Sequence, residues 1–190
     1  MSRRILILVM MVMMVAGFVK GVYASSTGTV TLTITVAPGA EIQIWYQDPG
    51  TKTYDFGSNM PVNTSSITVA SFTVKNNSSG LTEDWQIRAS NAYGTGVNWT
   101  LATSTGTDQY TLQALLNADT QPSHTDFGDN DYLSTTNTAM DGTHFHGSET
   151  GESVPSKATR GLWFRIVTPS EVTDTSQKTI YVTVVAAQAG

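Results

Sequence analysis

The chain has 190 residues, no cysteine, ten basic and 15 acidic side chains, and a formal net charge of −5. Without cysteine there is no disulfide, no thiol nucleophile and no thiolate-bound metal. The acidic balance repels nucleic acid, so DNA and RNA are set aside as partners.

The N-terminus has the layout of a targeting segment. Arg3 and Arg4 make a positive start, Ile5 to Val19 is an apolar run of 15 residues, and Val22-Tyr23-Ala24 has the small-x-small character of a cleavage site. A membrane helix needs about 20 apolar residues, so 1–24 is expected to be a cleaved signal peptide rather than an anchor. Its removal takes Arg3, Arg4 and Lys20, leaving seven basic residues against 15 acids and a net charge of −8. The expected location is secreted: extracellular, at the cell surface, or periplasmic, with no membrane contact once the leader is gone. Residues 25–190 suit a single domain.

Thr29 to Val36 alternates strictly, with Val30, Leu32, Ile34 and Val36 on one side and threonines on the other. That period of two marks a half-buried strand. Glu41 to Tyr46 is a second strand, ended by the turn signal Asp48-Pro49-Gly50. A short extended piece, Thr53 to Phe56, stops at Gly57. Ile67 and Val69 share one phase and Phe72 and Val74 the other, which predicts a bulge or corner near Ala70. Trp85, Ile87 and Ala89 make another strand, Val97 to Leu101 returns the chain, and Tyr110 to Leu116 closes the central series.

From Asn117 to Lys157 the pattern lapses into Gly, Asp, Ser, Thr and Asn. So long an irregular stretch is a functional loop, an insertion or a disordered segment. Order resumes with Arg160 to Thr168 and Lys178 to Ala186. The first run is apolar on both faces, with Leu162, Phe164 and Ile166 opposite Trp163 and Val167, as in a strand covered on both sides. The second alternates, with Ile180, Val182, Val184 and Ala186 opposite Thr179, Tyr181 and Thr183. The two are expected to form the hairpin that closes the fold. No stretch of the mature chain sustains a helical period. The fold class is therefore all-β: an antiparallel two-sheet sandwich, immunoglobulin-like or jelly-roll, of about eight to ten strands, with a long loop near 117–157.

Asp126, Asp129 and Asp131, with Asn130 and Asp141 near, form an acidic cluster of the oxygen ligands that Ca2+ takes, although the spacing is not that of an EF-hand. On a strand, His144 and His146 would share one side and offer two imidazoles to zinc. The bland alternative for both is a hydrated loop. Trp45 and Tyr46 are a candidate carbohydrate platform; Trp85 and Trp99 fall in phase with Ile87 and Leu101 and belong to the core. Asp-Phe-Gly occurs at 55–57 and 126–128 as a tight turn with its Phe turned inward, without the other parts of a kinase. No nucleophile elbow, phosphate loop or dinucleotide fingerprint is present, so the protein is expected not to be an enzyme.

Tyr54-Asp55-Phe56-Gly57, Tyr110-x-Leu112-x-Ala114-Leu115, Leu162-Trp163-Phe164-Arg165 with Pro169, and Ile180-x-Val182-x-Val184 together resemble a group of uncharacterised secreted bacterial proteins. These carry immunoglobulin-like β-sandwich domains behind a signal peptide. The resemblance implies fold and export and carries over no ligand or catalytic residue.

The leading expectation is a structural or adhesive surface protein, a subunit of an extracellular filament or layer. It would self-associate through edge strands, with Val30, Leu32, Ile34 and Val36 as the assembly strand. A carbohydrate-binding module for cell-surface glycans and a secreted metallo-hydrolase at His144 and His146 are the alternatives. No cofactor is required by the leading reading.

Overall fold

The computed structural model describes residues 30–36, 41–58, 60–118 and 120–190. The expected signal peptide, 1–24, lies outside them. The described residues form two sheets packed face to face, a β-sandwich. One sheet, here the terminal sheet, contains β1 (Val30–Val36), β3 (Thr53–Asp55), β6 (Glu83–Ala89), β7 (Tyr93–Gly94), β10 (Thr138–Ala139) and β12 (Lys178–Gln188). The other, the central sheet, contains β2 (Ile42–Tyr46), β4 (Ser65–Ile67), β5 (Phe72–Asn76), β8 (Thr100–Leu101), β9 (Gln109–Leu116) and β11 (Thr159–Val167). The order is β10-β6-β12-β1-β3 in the first, with β7 also on β12, and β2-β5-β11-β9-β8 in the second, with β4 also on β11. Among the described residues there are twelve strands, more than the eight to ten expected, because several are only two or three residues long. Most pairs are antiparallel, but β1 runs parallel to β12 and β8 parallel to β9.

The alternating residues fill the space between the sheets. Val30, Leu32, Ile34, Trp85, Ile87, Ile180, Val182 and Val184 come from the terminal sheet. Ile42, Ile44, Phe72, Val74, Tyr110, Leu112, Ala114, Leu116, Leu162, Phe164 and Ile166 meet them from the central sheet. Phe72 and Phe164 touch edge to face, with ring centroids 5.6 Å apart.

The expected hairpin of the last two strands is not formed: β11 and β12 lie in different sheets. The reason is that both edges of β11 are taken, by β9 on one side and by β4 and β5 on the other. Pro169, which has no N–H, ends the ladder, and Thr168 anchors the exit by donating from Oγ1 to the Pro61 carbonyl at 2.7 Å. The phase switch near Ala70 is the gap between β4 and β5. There Thr68, fully buried, donates its N–H to the Phe164 carbonyl at 3.0 Å, and its Oγ1 accepts the Phe164 N–H at 3.3 Å. Ile67 therefore faces outward, packing against Leu115, Phe127 and Trp163, while Phe72 faces the main core.

Residues 117–157 are an insertion that packs. Phe127 covers the outer face of the central sheet on Leu115 and Trp163, which is why β11 is apolar on both sides. Leu133, Met140, Phe145 and Val154 join the main core. The insertion also seals the flank between the sheets. It bonds β6 through Met140 N to Trp85 O at 2.9 Å and Val154 N to Glu83 O at 2.8 Å, and β9 through Leu133 N to Leu112 O at 2.8 Å. Covering these two edges removes them as pairing sites. The insertion leaves β9 beside Gly161, where a Cβ would stand 2.3 Å from the Asn117 carbonyl oxygen, so only glycine fits.

Two substitutions probe this packing. Phe164→Ala should lower stability by about 3–5 kcal/mol in urea unfolding, as expected for truncating a buried aromatic. Thr68→Val keeps the shape but leaves the Phe164 N–H unpaired, and should cost about 1–3 kcal/mol. A Thr68→Val protein as stable as the parent would refute the role given to that hydroxyl.

Candidate functional site

β1, the strand expected to mediate assembly, is built into its own molecule. β1 pairs with β12 along its whole length, from Val30 opposite Lys178 to Val36 opposite Val184. On its other side it meets only the three-residue β3, with flanking bonds from Ile34 N to Lys52 O at 2.9 Å and Phe56 N to Val30 O at 2.9 Å. Val30, Leu32 and Ile34 are buried at 1%, 0% and 0% exposure. Burying each is worth about 1.5–3 kcal/mol. The threonines face out, and Thr35 Oγ1 lies 3.3 Å from Thr183 Oγ1 across the ladder. β2 and β3 each have one edge with no strand paired to it among the described residues.

Trp45 and Tyr46 do not make one platform. Successive residues of a strand point to opposite faces, so they flank β2 rather than share a surface. Tyr46 turns to the rim of the core, its ring 5.2 Å from Tyr54 and 4.9 Å from Phe72 between centroids. Trp45 lies half-buried on the outer side, opposite Thr73 of β5.

The acidic residues of the insertion hold turns. Asp126 Oδ2 accepts the Ser123 N–H at 2.7 Å and Asp131 Oδ2 accepts the Gly128 N–H at 2.6 Å, each bracing a one-turn 3-10 segment. Asp126 and Asp129 are exposed, whereas Asp131 is buried at 6% exposure. Burial pushes the Asp131 carboxyl above its ordinary value, against the pull of the Gly128 and Phe145 N–H groups and of His144 and His146. His144-Phe145-His146 is not a strand: Phe145 has a φ of 59° and its ring is in the core. His144 Nδ1 lies 3.3 Å from Asp141 Oδ1, and His146 is exposed. The Thr143 and His144 N–H groups also bind Asp141, and the His144 N–H is the largest influence lowering its carboxyl. Among the described residues no three His, Asp or Glu side chains converge as metal ligands.

One charged site was not visible in the sequence. Lys178, the first residue of β12, is fully buried, and its Nζ bonds the Asp174 carboxylate and, at 2.7 Å, Ser176 Oγ. It also lies 5.8 Å from the centre of the Trp99 ring, a cation–π contact. Asp174 accepts the Ser176 N–H at 2.9 Å as well, and the Lys178 bond first, then Ser176, lowers its carboxyl to about 2. This pair fixes the loop between β11 and β12 at the point where β1 begins its ladder, since Val30 lies opposite Lys178.

A buried charge stripped of its partner is costly, while its replacement by an apolar side chain of similar size is not. Asp174→Ala should therefore lose about 3–5 kcal/mol of stability, and Lys178→Met should be close to neutral. The depressed carboxyl also gives acid sensitivity with a defined sign. Its contribution is complete above about pH 4, where the unfolded aspartate ionises, and is lost as pH falls through about 2. Acid titration of the Asp174→Ala protein should show a smaller drop over that window than the parent; equal drops would contradict the pairing.

No protein-family model matches the sequence, and no curated protein matches it.

Proposed function

We propose that the chain is an exported, non-enzymatic structural or adhesive protein of the cell surface whose copies join into a filament or layer by exchanging β1. The leader-like residues 1–24 support export. The exchange reading rests on one observation: β1 finds its ladder partner at the far end of the chain. Thr35 bonds residues 147 and 148 positions away, so the ladder with β12 uses no local contacts. An identical strand from another copy offers the same hydrogen bonds and the same three buried side chains. Such exchange is a low-cost route to assembly. The covered flanks at β6 and β9 confine pairing to the side of the sandwich that carries β1 and β3.

Deleting residues 25–36 and adding the strand back as a peptide tests this. The truncated protein should unfold at lower denaturant than the parent, and a synthetic Val30–Val36 peptide should restore the cooperative transition. The intact protein should form oligomers whose size grows with concentration in light scattering. A truncated protein that folds as a stable monomer without the peptide would remove the exchange reading. An intact protein that stays monomeric at every concentration would do the same.

A further inference from the structure

A groove of about 290 Å3 runs over the outer face of the terminal sheet, away from the ladder between β1 and β3. Arg88, Asn91, Tyr93, Thr135, Tyr181 and Thr183 are among the residues that line it. Tyr93 and Tyr181 are 45% and 46% exposed, and their rings stand 6.5 Å apart at 41°. Two half-exposed aromatic rings side by side offer apolar faces for a ring-shaped ligand. Thr183 lies directly opposite Arg88 in the ladder of β12 with β6.

The floor is held rigidly. Ser90 Oγ accepts the Tyr181 N–H at 3.1 Å and donates to the Asn91 carbonyl at 2.6 Å. The buried Tyr110 donates its hydroxyl to the Ser90 carbonyl at 2.6 Å. Asn91 Oδ1 accepts the Leu101 N–H at 3.0 Å, which orients the amide and leaves its NH2 donors free among the described residues. Arg88 is exposed, and its guanidinium makes no ion pair or hydrogen bond among the described residues. Among the described residues no acid lines the groove, although the chain has 15 acids against ten bases. The groove thus carries one unopposed positive charge.

We propose that this groove binds an acidic oligosaccharide, one whose sugars carry carboxylates. The tyrosines stack on the pyranose faces, and Arg88 takes a carboxylate through its planar fork. Asn91 and Thr135 bond the ring hydroxyls. A peptide fits less well, because hydroxyl and amide donors line the wall where a side-chain pocket would be needed. The site is made by β6, β7, β12 and the insertion and contains no described residue of β1, which meets its rim where Thr35 Oγ1 lies 3.3 Å from Thr183 Oγ1.

Titration of the full chain with trimers of galacturonate, mannuronate and glucuronate, followed by amide NMR, tests the proposal. Maltotriose and pentaglutamate serve as neutral and acidic-peptide comparators. At least one uronate trimer should bind saturably, with shifts confined to residues 88–93, 135 and 179–183. Tyr181→Ala and Arg88→Gln should each weaken binding at least tenfold, and Trp45→Ala should leave it unchanged. Both altered side chains are exposed, and an unchanged melting temperature will show that the fold survives. Silence with all three uronates overturns the proposal. So does binding that neither substitution weakens, or equal binding of maltotriose or pentaglutamate.

Discussion

The parallel ladder between β1 and β12 is the constraint on which the terminal sheet depends. β12 is the spine of that sheet, holding β1 on one edge and β6 and β7 on the other. Joining it to β1 closes almost the whole described chain into a loop. Loop closure grows only as the logarithm of length, so closing some 147 residues costs about 4 kcal/mol beyond the constant term. Val30, Leu32 and Ile34 return about 1.5–3 kcal/mol each on burial.

The buried Lys178 sits at one end of this ladder and shows how the loop before β12 is fixed. Asp174 and Ser176 hold the ammonium group, and the Trp99 ring lies on its far side. Nothing in the sequence around Lys178 marks it as buried. A lysine at the head of a strand is ordinarily solvated, and the loop that covers this one has no period to read. Its partner Asp174 is four residues earlier, yet that spacing has meaning only once the loop is seen to fold back.

Much of the fold was legible because period-two alternation is a direct consequence of strand geometry. Val30 to Ile34, Trp85 to Ala89, Tyr110 to Leu116 and Ile180 to Val184 face the core as their phase requires. Partnership was not legible. Leu162 to Ile166 and Ile180 to Val184 read as neighbours, but strand phase says nothing of which edge is already taken, and both edges of β11 were. The insertion was illegible for a different reason. Phe127, Leu133, Met140, Phe145 and Val154 are single anchors at irregular spacing, each buried without a run of apolar neighbours. Among the candidate ligand residues, Trp45 and Tyr46 were separated by strand parity alone. The outward phase of Tyr181 was readable, but the approach of Tyr93 and Arg88 comes from the pairing of β7 and β6 with β12.

The chain has no cysteine, which allows a direct test of where β1 pairs. Thr35 and Thr183 face each other across the ladder, within the Cα separation that a disulfide spans. Thr35→Cys and Thr183→Cys should be made in separate chains, mixed at high concentration and oxidised. A disulfide joining the two different chains is expected, and its yield should fall when the mixture is diluted before oxidation. If the mixed chains never cross-link, while one chain carrying both cysteines closes its own bridge, β1 serves only its own molecule.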